Sequence, residues 1–164
     1  MLIYDKNKHT LQIEEFHFKC AIGKNGISKY KVEGDKKTPM GIFEVENLYY
    51  REDRIGKINS KLSTIKITKS MGWCDDVTNK QKYNKLVKTK EKTKHEKLFR
   101  KDHKYDLLIP IKYNFKKRIL GKGSCIFIHL TTNYQPTEGC IAISKSDFLI
   151  MLKIINKRTK IKIF

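Results

Sequence analysis

Short runs of β-branched, aromatic and aliphatic residues, broken every few positions by Asn, Asp, Gly or Lys, fill this chain and restrict what it can become. Alternating apolar and polar side chains suit a strand with one buried face, because successive side chains on a pleated backbone point to opposite sides. Met1–Tyr4, His9–Glu15 and Phe16–Ile22 read as successive strands of hairpins, with Asp5-Lys6-Asn7-Lys8 as the first turn. Ile42–Tyr50, Leu62–Thr68, Tyr105–Tyr113 and Thr159–Phe164 add strand-like runs, with Pro110 suited to an edge or bulge because it lacks an N–H. One window departs from this pattern. Ser144-Lys145-Ser146-Asp147 offers a capping start, and Phe148, Leu149, Leu152 and Ile155 then recur at helical spacing, which predicts a helix over about Lys145–Asn156. The expectation is a mainly β domain, sandwich-like or barrel-like, with one helix in the C-terminal region and an irregular, Lys-rich middle.

The 164 residues are enough for one domain spanning residues 1–164 and too few for two ordinary ones. With 39% hydrophobic and 32% charged residues, the chain reads as globular and soluble rather than disordered. No apolar run approaches the roughly 18 residues of a membrane span, so no membrane segment is expected. Met1–Phe16 alternates and carries charges without an apolar core, so no secretory leader is expected there.

Two runs near the C-terminal end carry chemistry. Cys125-Ile126-Phe127-Ile128-His129-Leu130 leads through a polar loop to Thr137-Glu138-Gly139-Cys140, and then to Ile141-Ala142-Ile143. Period two places His129 on one face with Phe127 and Cys125, and Cys140 with Ala142 and Ser144, leaving Ile141 and Ile143 for the core. A thiol among small residues, near an imidazole at a neighbouring strand end, suits acyl transfer: the sulfur attacks a carbonyl while the imidazole takes and returns the proton. An imidazolium would hold that thiol below its ordinary pKa of about 8.5. Gly139 permits the tight turn that lets backbone N–H groups face a developing oxyanion, so the N–H groups of Gly139 and Cys140 are the expected donors. Thr137 either caps this turn or touches substrate, and Glu138 is the loop's other substrate-facing candidate. Taken singly, each residue also has a structural explanation: a packed strand-end His, or a Cys used as a small buried apolar group. Trp73, Asp75 and Asp76 are further candidates for the substrate cleft, since paired carboxylates suit an ammonium. The alternative for them is an Asx-capped turn beside a packed Trp.

The order His, loop, Ser/Thr-x-Gly-Cys, apolar residue resembles the catalytic signature of the L,D-transpeptidases of the YkuD type. Gly23-Lys24-Asn25-Gly26 followed by Gly34-Asp35-Lys36-Lys37-Thr38-Pro39-Met40-Gly41-Ile42-Phe43 is similar to that family's segment ending in Thr-Pro-x-Gly-x-Phe. Gly72-Trp73-Cys74-Asp75-Asp76 with Tyr83-Asn84, then His95-Glu96 and Tyr105-Asp106, are similar to one bacterial branch of it. The likeness runs from about Lys19 to Ser144. Glu138 stands where many members carry His, Ala142 where an Arg is common, and the loop from His129 to Cys140 is shorter than in many relatives. The resemblance implies a β-sandwich-like catalytic fold with the Cys loop at its edge. It also implies a peptidoglycan stem peptide as substrate, cut after the L-centre of its third, diamino-acid residue with loss of a terminal D-amino acid. The bond energy is already in the peptide, so no cofactor and no metal are implied. Water replacing the acceptor amine would make the same site an L,D-carboxypeptidase. The implied workplace is the periplasm or cell envelope; since no leader is expected in Met1–Phe16, the cytoplasm stays open as the alternative.

The formal charge of +19 raises a rival reading, a non-catalytic basic module for nucleic acid or a wall polymer. Lys outnumbers Arg 31 to 5, whereas bidentate phosphate and base recognition favours Arg, so no nucleic-acid partner is expected. Lys80–Lys104, the densest basic stretch, reads as a solvated, partly helical excursion, or else as a lid, with His95 on its surface. Cys20, Cys74, Cys125 and Cys140 form no C-x-x-C pair and lack zinc-type His spacing, and Cys20 and Cys125 read as buried strand thiols. The sequence leaves the oligomeric state open.

Overall fold

A computed structural model describes residues 1–164. β1 (Leu2–Asp5), β2 (Thr10–Ile13) and β3 (Phe16–Ala21) form the expected meander, in antiparallel register Tyr4 to Leu11 and Leu11 to Phe18. Short strands β4 (Ile27–Ser28) and β5 (Thr38–Pro39) pair with each other, and the run expected over Ile42–Tyr50 divides into β6 (Gly41–Glu44) and β7 (Leu48–Tyr50). After a single-turn helix, α1 (Glu52–Ile55), come β8 (Thr64–Lys66), β9 (Met71–Cys74), β10 (Leu86–Lys88) and β11 (His95–Lys97). β12 (Leu107–Pro110), β13 (Phe127–Leu130), β14 (Ile141–Ile143), α2 (Lys145–Ile154) and β15 (Lys160–Ile163) complete the chain. No helix is long and apolar enough to cross a membrane.

Ten strands make one sheet in the order β6-β15-β1-β2-β3-β14-β13-β12-β7-β8. It curls on itself, since Val45, just past edge strand β6, bridges to Ile111, just past β12. Pro110 falls beyond the reach of β7, which pairs only with Leu107 and Leu108, so its missing N–H breaks no ladder on that side. Alternation along the central strands sorts side chains into two cores. Leu107, Ile109, Ile128, Leu130, Ile141 and Ile143 face the larger one, which α2 covers with Phe148, Met151 and Leu152. Leu108, Phe127 and Cys140 face a smaller core with Tyr49, Trp73, Leu98 and Tyr105. α2 starts where expected: Ser144 caps it by accepting the Asp147 N–H at 3.1 Å.

The Lys-rich middle corrects the expectation of a partly helical excursion. Its strands β10 and β11 flank β9 in a three-stranded antiparallel sheet, with Glu96 opposite Trp73. Only local turns connect them, and the lysines occupy exposed positions around a β scaffold too short in apolar spacing for a helix to bury a face. Residues following β11 are fastened rather than free to swing as a lid: Arg51 donates to the Arg100 carbonyl at 2.8 Å and lies 3.5 Å over the Phe99 ring, and Arg54 donates to the carbonyls of Lys101 and Asp102.

Candidate active site

Parallel pairing of β13 with β14 sets the chemistry. His129 lies beside Ala142 and Ile128 beside Ile141, which brings Cys140, one residue before β14, against the start of β13. The Cys140 thiol donates to the Cys125 carbonyl at 3.1 Å, and its sulfur accepts the Phe127 N–H at 3.4 Å. His129 Nδ1 lies 2.8 Å from the Leu130 carbonyl. A carbonyl can only accept, so the proton resides on Nδ1 and Nε2 keeps its lone pair. Nε2 bonds to no protein group and is not sealed in, and both residues line one cleft of about 350 Å³.

Thr137 organises the turn before the thiol. Its hydroxyl donates to the Cys140 carbonyl at 2.6 Å and accepts the Gly139 N–H at 3.1 Å. Gly139 has φ +138, and a Cβ there would stand 2.9 Å from the Lys37 carbonyl oxygen, so only glycine fits. The glycine block near the N-terminus holds this loop from behind. Thr137 bridges to Gly23, with Lys24 N–H donating to the Thr137 carbonyl at 2.8 Å and Thr137 N–H to that of Ile22 at 2.9 Å.

Burial governs the titration of the pair. It pushes the Cys140 thiol up to about 12 and the His129 imidazole down to about 4. The resting couple is therefore a neutral thiol and a neutral imidazole. This corrects the expectation of a thiol lowered by an imidazolium: burial disfavours the charged form of both groups. In that state the His129 Nε2 carries a free lone pair that can accept a proton.

Tyr105 supports the base from the side. Its ring meets the His129 ring edge-on at 5.3 Å between centroids and the Phe127 ring at 5.8 Å, while its hydroxyl donates to Glu96 Oε1 at 2.5 Å. Asp75, Glu96, Arg100 and Lys104 also line the cleft. Burial raises the Glu96 carboxyl above its ordinary value, against the opposing pull of Tyr105 and Arg100. Asp75 Oδ2 lies 3.3 Å from Lys94 Nζ, and its Oδ1 is buried with no partner.

The family model of the L,D-transpeptidase catalytic domain, YkuD, matches residues 1–163. The chain belongs to the YkuD family. Among solved structures, it aligns with L,D-transpeptidase 1 of Mycobacterium tuberculosis at 12% identity and a TM-score of 0.44, covering 99% of this chain and 60% of that one. For an L,D-transpeptidase from Mycobacterium smegmatis the figures are 12% identity and 0.45, covering 99% and 57%. The chain thus spans less than two thirds of the length of either protein. No curated protein sequence matches it significantly.

This YkuD domain brings together only some of the residues singled out from its sequence. Cys140, His129, Thr137, Glu138 and Asp75 line the cleft. Glu138 is at its mouth, with a side chain 75% exposed and 3.2 Å from Lys36 Nζ. Trp73 is not in the cleft wall: it lies in the smaller core, its indole N–H donating to Asn84 Oδ1 at 2.9 Å, because the period of β9 turns it inward against Phe127. Asp76 is likewise diverted, capping its own turn by accepting from Thr78 and from the Thr93 hydroxyl at 3.0 Å, and those bonds hold its carboxyl down at about 2. The Gly139 N–H is engaged by Thr137, so it is not a free oxyanion donor; the Cys140 N–H donates to no protein acceptor. Cys125 does not share the strand face of His129. It precedes β13 in a left-handed conformation, φ 54, and lines the cleft half-buried, whereas Cys20 is a buried thiol as expected.

Sequence reasoning passed over Tyr105 and Glu96 as site residues, although both fall in the quoted motif blocks. It missed Lys31 altogether, a buried lysine beside the Gly139 turn. Nothing in the sequence distinguishes this lysine from the thirty others.

Proposed function

We propose that this domain performs cysteine-dependent acyl transfer on peptidoglycan stem peptides. The observation that carries the reading is that Cys140 and His129, whose Nε2 has no protein partner, line one cleft where β13 pairs with β14 in a YkuD domain. His129 Nε2 takes the thiol proton as the sulfur attacks the carbonyl following the L-centre of the third stem residue. The C–S bond forms, the Cys140 N–H faces the oxyanion, and the departing terminal D-amino acid receives the proton from His129 as its C–N bond breaks. The thioester then meets an amine of a second stem, His129 removes the amine's proton, and the thiol is released with that proton. This is L,D-transpeptidation, and it places the domain's work in the cell envelope. Asp75 and Glu96, which line the same cleft as the thiol, suit an ammonium of a diamino-acid side chain.

Two measurements test the reading. Intact mass after exposure to a carbapenem, which resembles the donor, should show one stable adduct that maps to Cys140 and vanishes in Cys140→Ala. A product assay with and without an acceptor stem peptide should give exchanged or cross-linked peptide. Release of the D-amino acid alone would refute transpeptidation and assign an L,D-carboxypeptidase instead.

A further inference from the structure

Lys31 is only 3% exposed, and its side chain threads between two loops that carry glycine where they meet it. A Cβ on Gly123 would stand 2.9 Å from Lys31 Cε, and one on Gly139 would stand 3.6 Å from its ammonium nitrogen. Both glycines have positive φ, +103 and +138; at Gly123 the missing side chain leaves Lys31 its path, and the Gly139 turn lies in contact with the ammonium end. Burying an ammonium is costly unless it is paired. Asp35 supplies the counter-charge at 2.7 Å and is itself fixed by accepting the Val32 N–H at 2.8 Å and the Lys37 N–H at 2.9 Å.

A lysine serving only to tie two loops together has no need of the cleft, yet Lys31 lines it with Cys140. Its charge also acts on that thiol, favouring the deprotonated form against the dominant effect of burial. We propose that Lys31 is the positioning cation of this site: its ammonium, held by Asp35 beside the Gly139–Cys140 turn, favours the negative charge that the Cys140 sulfur takes on when it loses its proton. Lys31 acts through Cys140 rather than by touching substrate, and the inference rests on the reading of Cys140 as nucleophile.

The test is the rate of alkylation of Cys140 by iodoacetamide in the folded protein at pH 8, with fragment-ion mapping to separate it from Cys125. Lys31→Met should slow the reaction about tenfold, the equivalent of roughly one pKa unit. Asp35→Asn, which frees the ammonium from its counter-charge, should speed it several-fold. Opposite signs distinguish charge from mere loosening, which would expose the sulfur and speed alkylation in both variants. Alkylation of Lys31→Met at or above the rate of the unmodified protein overturns the proposal. Should Lys31→Met fail to fold, Asp35→Asn decides alone, and an unchanged or slower rate overturns it. An unmodified Cys140 that takes neither carbapenem nor iodoacetamide removes the nucleophile reading itself, whereas a reactive Cys140 indifferent to both substitutions removes only the role of Lys31.

Discussion

The phenol of Tyr105 touches His129 and Glu96 at once, with its ring edge-on to the imidazole and its hydroxyl on the carboxylate. Removing only the hydroxyl and removing the whole ring therefore have separable effects. Tyr105→Phe should keep His129 in place and cost about 1 kcal/mol in urea unfolding, from the hydrogen bond lost at Glu96. Tyr105→Ala should cost about 3–5 kcal/mol and lower kcat about 100-fold, because the imidazole loses its side wall. Equal kcat in the two variants would contradict this division.

His129 makes the fold sensitive to acid. Its folded pKa, about 4, lies below the ordinary 6.5, so the unfolded chain binds more protons between those values. The contribution of the neutral ring is complete above about pH 6.5 and is lost as pH falls toward 4. It amounts to something on the order of 3 kcal/mol. Urea titrations at several pH values should show His129→Gln losing less stability across this window than the unmodified protein, with the two curves parallel above it. The acid limb of kcat/KM should also fall well below the ordinary histidine range.

Thr137 is predicted to act through geometry rather than substrate contact. Thr137→Val removes a hydroxyl that both accepts from Gly139 and donates to the Cys140 carbonyl, at a cost of about 1–2 kcal/mol. Thr137→Ser keeps both bonds. Calorimetry and turnover should rank Ser close to Thr, and Val below both, in stability and in kcat together.

Asn84 anchors the loop whose carbonyl holds the thiol. Its Oδ1 accepts from the Trp73 indole at 2.9 Å and from the Cys125 N–H at 3.3 Å, and its amide donates to the Tyr113 and Asn114 carbonyls. Asn84→Ala leaves several buried groups unpaired and should cost about 3 kcal/mol or more. The chain has one Trp, so its fluorescence reports directly on this site and should shift in the variant.

The strands and the cleft positions of Cys140 and His129 were legible because each depends on local pattern. Period two assigned Ile141 and Ile143 to the large core and Cys140 to the other face, and helical spacing with Ser144 as cap located α2. What escaped notice depends on contacts distant in sequence. The basic middle looks like a solvated tract by composition, and only its pairing on β9 shows it to be a sheet that delivers Glu96 to the cleft. Trp73 and Asp76 carry the right chemistry on the wrong side of their backbone, a distinction set by the register of β9 and by a local cap. Lys31 is unreadable in principle from one sequence, since its burial is created by Gly123 and Gly139, about a hundred positions away.

The parallel pairing of β1 with β15 joins Leu2 to Ile161 and Tyr4 to Ile163. The hairpin of β1 with β2 forms from neighbouring residues, but the other edge of β1 waits for β15 at the far end of the chain, and closing so long a loop makes that last pairing slow. The seam in which β15 joins β6 to β1 is thus the last part of the sheet to be completed.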